Sequence, residues 1–110
     1  MNKCVCTVLI FSGRPDPTWE LKENIREEFE KIWKILEPIK KVPKPAPPLG
    51  YRGCIVKCNK DIEWFAYEGV MTLKKRGISE SRLDIDRKFE KLVIYSAPKG
   101  LIPISLIFNA

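Results

Sequence analysis

The sequence predicts an α+β fold: a mostly antiparallel sheet of four to five strands with two helices packed on one face, in the order β-α-β-β-(β)-α-β. Three observations lead there. Residues 4–11 (CVCTVLIF), 51–58 (YRGCIVKC) and 62–73 (IEWFAYEGVMTL) are rich in β-branched and aromatic types, the composition of strands. Residues 20–37 and 85–96 instead space their apolar side chains for a helix. Neither kind of element buries its apolar side alone, so the two must stack as layers.

The first run, 4–11, is apolar nearly throughout, as expected of a central strand covered on both faces. Residues 12–18 (SGRPDPT) form a loop, with Pro15 and Pro17 holding their predecessors extended. In the helix over 20–37, Leu21, Ile25, Phe29, Ile32 and Leu36 mark the inner stripe. Glu27–Lys31 and Glu30–Lys34 are favourable pairs on the wet side. Asp16 or Thr18 is placed to cap its start, and Pro38 ends it. Residues 38–50 (PIKKVPKPAPPLG) read as an extended, proline-rich connector. After the strand at 51–58 comes a turn at 59–61. The strand at 62–73 contains Gly69, which signals a bulge or sharp bend. A basic turn (74–77) and a short edge strand (78–83) follow. The helix over 85–96 has Asp84 or Asp86 as its cap and Phe89, Leu92, Val93 and Ser96 on its inner face. Residues 101–108 read as a last strand.

One hundred and ten residues suit a single domain spanning 1–110. With 45% hydrophobic residues the chain has material for one core. The net charge of +6 attracts nucleic acid or other polyanions and also favours solubility. There is no histidine, which removes the usual proton carrier near neutral pH, mixed Cys/His zinc sites and His-dependent triads. Catalysis is therefore not the expected role, and no cofactor is expected. No run is long enough to span a bilayer, and the first residues lack a signal-peptide cleavage pattern. The expected location is the cytoplasm, without membrane association.

The four cysteines fall in two pairs, Cys4/Cys6 and Cys54/Cys58, each on one face of its strand. The spacings do not make zinc knuckles, so no metal is expected. Free buried thiols are one outcome, since Cys packs as a small hydrophobe. A single disulfide between neighbouring strands is another, with Cys6–Cys54 or Cys4–Cys58 the pairs in question. Either closes a loop of roughly 50 residues, worth about 4 kcal/mol in the chain-entropy model. Forming both is awkward, because spacings of two and four do not match in register.

The segments Ser12-Gly13-Arg14-Pro15-Asp16-Pro17-Thr18-Trp19 and Leu49-Gly50-Tyr51-Arg52-Gly53 resemble a pattern in small uncharacterised bacterial proteins. The likeness extends through Tyr67-Glu68-Gly69-Val70 and the helix after Asp84. It implies no activity, cofactor or partner. It does imply that the 13–19 loop and the 49–53 segment belong together, and the cysteines form no part of it.

The expected function is binding of a protein or peptide partner through Arg14, Asp16, Trp19, Tyr51 and Arg52, which mix Arg with aromatics as interface hot spots do. The alternative is a single-stranded nucleic-acid binder. It would stack bases on Trp64, Phe65 or Tyr67 beside Lys74, Lys75 and Arg76. A small enzyme is the third reading and needs a pocket holding Cys, Lys or a carboxylate with a shifted pKa.

Overall fold

The computed structural model describes residues 3–11, 15–40 and 50–103. Among these, seven strands form one antiparallel sheet: β1 (Cys4–Val8), β2 (Thr18–Leu21), β3 (Pro38–Ile39), β4 (Cys54–Asn59), β5 (Ile62–Tyr67), β6 (Val70–Lys75) and β7 (Ile78–Leu83). Helix α1 (Glu23–Ile35) lies between β2 and β3. A single 3-10 turn (Ile85–Arg87) leads into α2 (Lys88–Tyr95). The spatial order of strands is β2-β1-β4-β5-β6-β7-β3. The expected arrangement of four to five strands carrying two helices on one face is thus replaced by a larger, mostly-sheet architecture.

Three segments account for the difference. Residues 62–73 are a hairpin rather than one long strand. Glu68 (φ 46°) and Gly69 (φ 83°) both take left-handed backbone, the requirement of a two-residue turn whose twist matches the flanking strands, and Tyr67 pairs with Val70. Residues 18–21 form β2 instead of leading into the helix: Trp19 and Leu21 point inward while Thr18 and Glu20 face solvent. Pro38 does not simply stop the helix; with Ile39 it pairs to Arg82 and Ser81 at the sheet edge, where a strand tolerates proline.

Other boundaries also move. β1 ends at Val8, and the second expected strand begins at Cys54 rather than Tyr51. Gly53 precedes it at φ 105°, where a Cβ would lie 2.8 Å from Phe65 Cζ and 2.9 Å from the Ala66 carbonyl oxygen; glycine is required there on both counts. α1 starts at Glu23, and its N-cap, Lys22, makes no side-chain cap bond. Asp16 does not cap that helix, because its Oδ1 accepts from the Ile10 and Phe11 N–H groups. Residues 101–103 are not a strand. The rest of the expected last strand, and residues 41–49 of the proline connector, lie outside the described residues.

The core sits on the sheet face that carries Cys4, Cys6, Val8, Cys54, Val56, Cys58, Trp64, Ala66 and Met71, all buried. Phe29 and Trp33 of α1 and Phe89, Val93 and Ile94 of α2 complete it. Trp64 anchors this layer. Phe29 and Trp33 meet it edge-on at 5.4 and 5.2 Å, and Phe89 stacks on it at 5.8 Å. Each such pair adds about 0.5–1.5 kcal/mol beyond the area it buries.

Cys4 lies across from Cys58 in the β1–β4 register, which pairs Val5 with Lys57 and Cys6 with Val56. The Cα atoms are 4.0 Å apart and the sulfurs form a disulfide. Cys6 and Cys54 are free and buried. Of the two candidate disulfides, Cys4–Cys58 is the one formed; the Cys6–Cys54 bond is not. The register places Cys54 opposite Val8 and two residues off the partner of Cys6, so those two thiols meet only diagonally.

Candidate functional site

The residues expected to bind a partner are brought together in part, and mostly for structural work. An Asp16 Oδ2–Arg52 Nη2 ion pair spans 3.8 Å, and the same Arg52 nitrogen donates to the Phe11 carbonyl at 3.0 Å. The Arg52 N–H also donates to the Leu9 carbonyl. The clamp therefore ties the loop after β1 to the approach to β4. Trp19 is not an exposed hot spot; it is 7% exposed, and its indole N–H donates to Ser96 Oγ at 3.3 Å. It lines a cleft of about 520 Å³ together with Ile25, Ala97 and Pro98. Arg14 lies outside the described residues.

Tyr51 belongs to a buried polar knot that sequence reasoning passed over. Its hydroxyl donates to Glu90 Oε2, and Arg87 Nε donates to Glu90 Oε1 at 2.7 Å. Glu90 has no exposed surface. Burial holds the Tyr51 phenol far above its ordinary range, and its acidic neighbours Cys54 and Glu90 add to this. The bond to Glu90 raises Arg87 in turn. Asp84, also buried, accepts from the Phe89 and Glu90 N–H groups at 2.9 and 3.2 Å. Of the two expected cap residues, Asp84 and Asp86, Asp84 is the one whose carboxylate takes N–H groups of the first turn of α2, although Arg87 occupies the N-cap position itself. Asp86 and Arg87 both sit at φ 56°, a backbone strain typically held by surrounding bonds; here the Asp84 and Glu90 contacts hold it. Every acid in this knot is engaged, which makes it a brace between α2 and the start of β4.

The aromatic platform of the nucleic-acid reading is not presented. Trp64 and Tyr67 are buried, and Phe65 lies on the opposite face against Gly53. The basic turn is divided as well. Lys74 pairs in register with Glu63 on the face away from the core, while Lys75 and Arg76 border a groove on the core side.

That groove is the candidate site. Its floor consists of two rungs of the sheet, Trp64–Leu73–Glu80 and Ile62–Lys75–Ile78. Side chains across these rungs share a face because positions alternate along each strand. One cavity, about 270 Å³, lies between this floor and Arg26, Glu30, Trp33 and Lys34 of α1, with Cys58 at its side. A second, about 290 Å³, continues over Leu73 and Lys75 to Arg76, Ile78 and Glu80. Ile78 is 75% exposed. Arg82 closes the end nearest β3: its guanidinium stacks 4.2 Å over the Trp33 ring and its Nη1 donates to the Trp33 carbonyl at 2.6 Å. Both carboxylates of the groove are already paired, Glu30 with Arg26 and Glu80 with Arg82. Lys34, Lys75 and Arg76 form no ion pair among the described residues, so the rim carries excess positive charge.

Compared with protein-family models, curated proteins and solved structures, the chain matches none. Among the described residues no cluster of His, Cys, Asp or Glu is arranged to hold a metal ion, and no helix is long and apolar enough to cross a membrane.

The groove was hidden in the sequence because its floor comes from both strands of the unrecognised 62–75 hairpin. The available signal was the pair Glu68-Gly69, a turn dipeptide in the middle of an alternating run. Leu73 and Ile78 flank the next such turn, Arg76-Gly77, where both residues again have positive φ.

Proposed function

We propose that the protein binds a partner polypeptide by seating an extended, acidic segment with alternating apolar side chains in the groove between α1 and the β5–β6–β7 corner. The observation that carries this reading is an apolar floor (Trp64, Leu73, Ile62, Ile78) rimmed by cations that form no ion pair among the described residues. Two adjoining cavities accept apolar side chains, and Lys34, Lys75 and Arg76 answer carboxylates between them. Such mixed apolar and charge-complementary surfaces give both affinity and orientation. Trp33 and Trp64, the aromatics that border the groove among the described residues, are only 7% and 5% exposed and offer little open ring face for base stacking, which favours a peptide over single-stranded nucleic acid.

The test is fluorescence anisotropy with labelled Val-Glu-Val-Glu-Val, its Val-Lys-Val-Lys-Val counterpart and oligo-dT. The acidic peptide is expected to bind at about 50 mM salt and to weaken severalfold by about 200 mM, as screened charges do. Equal binding of the basic peptide, binding of oligo-dT alone, or no binding of any probe contradicts the reading.

A further inference from the structure

We infer that the Cys4–Cys58 disulfide is a redox gate on the groove, holding it in the form that accepts the acidic peptide; the inference rests on the peptide-binding reading above. Cys58 lines the groove cavity beside Ile62 and Trp64. It is also the extra residue of a β-bulge: the β4–β5 register steps from Lys57–Glu63 to Asn59–Ile62 and skips it. A bulged residue has no place in the ladder, and the strand bends there. Its covalent bond to Cys4 fixes this part of the groove.

The other end of that bond leads to the opposite wall. Cys4 pairs with Leu21 of β2, and the chain runs from Leu21 through Lys22 into α1. α1 supplies Arg26, Glu30, Trp33 and Lys34. The disulfide thus ties the side of the groove to the strand pair from which its helical wall springs. Cys6 and Cys54 do not take over this role. Both are buried; the hydrogen bond to Cys6 and then burial push the Cys54 thiol up, which suppresses its thiolate. Opening the gate therefore calls for an external dithiol.

The exchange balances as follows. Cys58 is 3% exposed but, unlike Cys6 and Cys54, lines the groove cavity, so one thiolate of the dithiol reaches and attacks its Sγ from the groove side when the groove opens. The Cys58–Cys4 bond breaks and Cys4 leaves as a thiolate that takes up a proton. The second thiol of the reductant then attacks the mixed disulfide and releases Cys58, which is protonated, while the dithiol departs as its cyclic disulfide. Two electrons pass from the dithiol to the cysteine pair, and an oxidised dithiol reverses the sequence. Without the bond, the bulge rests on its neighbouring ladder bonds alone.

The test uses the full chain, prepared with Cys4–Cys58 oxidised or reduced by dithiothreitol, with Val-Glu-Val-Glu-Val as probe. The reduced form is expected to bind about tenfold more weakly, a usual size for coupling between two sites. Because coupling is reciprocal, saturating peptide must shift the dithiothreitol equilibrium toward the disulfide by the same factor. A doubly substituted chain, Cys4→Ser with Cys58→Ser, is expected to match the reduced form. Equal affinity in the two redox states overturns the gate and leaves the groove reading standing; no binding in either state overturns both. Loss of the dispersed amide spectrum on reduction also overturns the gate, since the bond is then a staple of the whole fold.

Discussion

Cys6 lies opposite Val56, not opposite a cysteine, although Cys4, one rung away on the same face, is bonded to Cys58. That one-rung difference decides the redox chemistry of the chain. Intact mass under denaturing conditions should show one disulfide and two alkylatable thiols, and peptide mapping should assign the bond to Cys4 and Cys58. In the native state at about pH 8, near the ordinary thiol pKa, Cys6 and Cys54 should resist a thiol reagent, being buried with the Cys54 thiol pushed up. Rapid native labelling of Cys54 contradicts the packing described here.

Gly53 is the backbone position most intolerant of a side chain. Gly53→Ala places a Cβ within 3 Å of Phe65 and the Ala66 carbonyl at φ 105°. A loss of roughly 2–3 kcal/mol is expected from overpacking and strain together. Gly77→Ala is the control, with φ 80° but nothing within 4 Å, and should lose about 1 kcal/mol. Chemical denaturation of both variants checks the difference, and equal losses would contradict it.

The knot around Glu90 should behave as a structural brace. Tyr51→Phe removes one donor from a buried carboxylate and is expected to cost about 1–3 kcal/mol. Glu90→Ala strips the partner from both Tyr51 and Arg87 and should cost roughly 3–5 kcal/mol. Neither change should alter peptide affinity in the folded protein, because neither residue lines the groove. Lost affinity in folded Tyr51→Phe would move the site toward the corner that the sequence first suggested.

Asp84 gives stability a definite pH dependence. Burial raises its carboxyl above the ordinary value, and the bonds from the Phe89 and Glu90 N–H groups only partly offset this. A raised carboxyl binds its proton more tightly folded than unfolded. Its contribution is thus fully present below the unfolded value of 3.8 and is lost as pH rises through the folded value. NMR titration of its side-chain carbon should show a midpoint above 3.8, and the unfolding free energy attributable to Asp84 should fall as pH rises through that window. A midpoint at or below 3.8 contradicts this.

Much of the secondary structure was legible because local chemistry and final environment agree. The stripe of Ile25, Phe29 and Ile32 on α1, the Asp84 cap and the neighbouring cysteine strands are of this kind. The strand count was not legible, because three strands carry weak local signals. Residues 18–21 alternate for only four positions and abut a helical pattern. Pro38-Ile39 reads as a helix stop, and only the distant Arg82 and Ser81 give it a partner. The hairpin at Glu68-Gly69 interrupts an alternation that continues on both sides of the turn. The site was missed for the same reason: Leu73 and Ile78 share a floor with Trp64 only once both hairpins are folded. Trp19, Tyr51 and Arg52 drew attention by composition, yet the Trp19 indole N–H and the Tyr51 hydroxyl are taken up by Ser96 and Glu90, and Arg52 Nη2 by the Phe11 carbonyl and Asp16.

The most direct measurement is amide chemical-shift mapping of the oxidised protein titrated with Val-Glu-Val-Glu-Val. The largest shifts are expected on Trp33, Ile62, Leu73, Lys75 and Ile78 and should saturate together. Shifts centred on the cleft of Trp19, Ala97 and Pro98, or no saturable shifts at all, would contradict it.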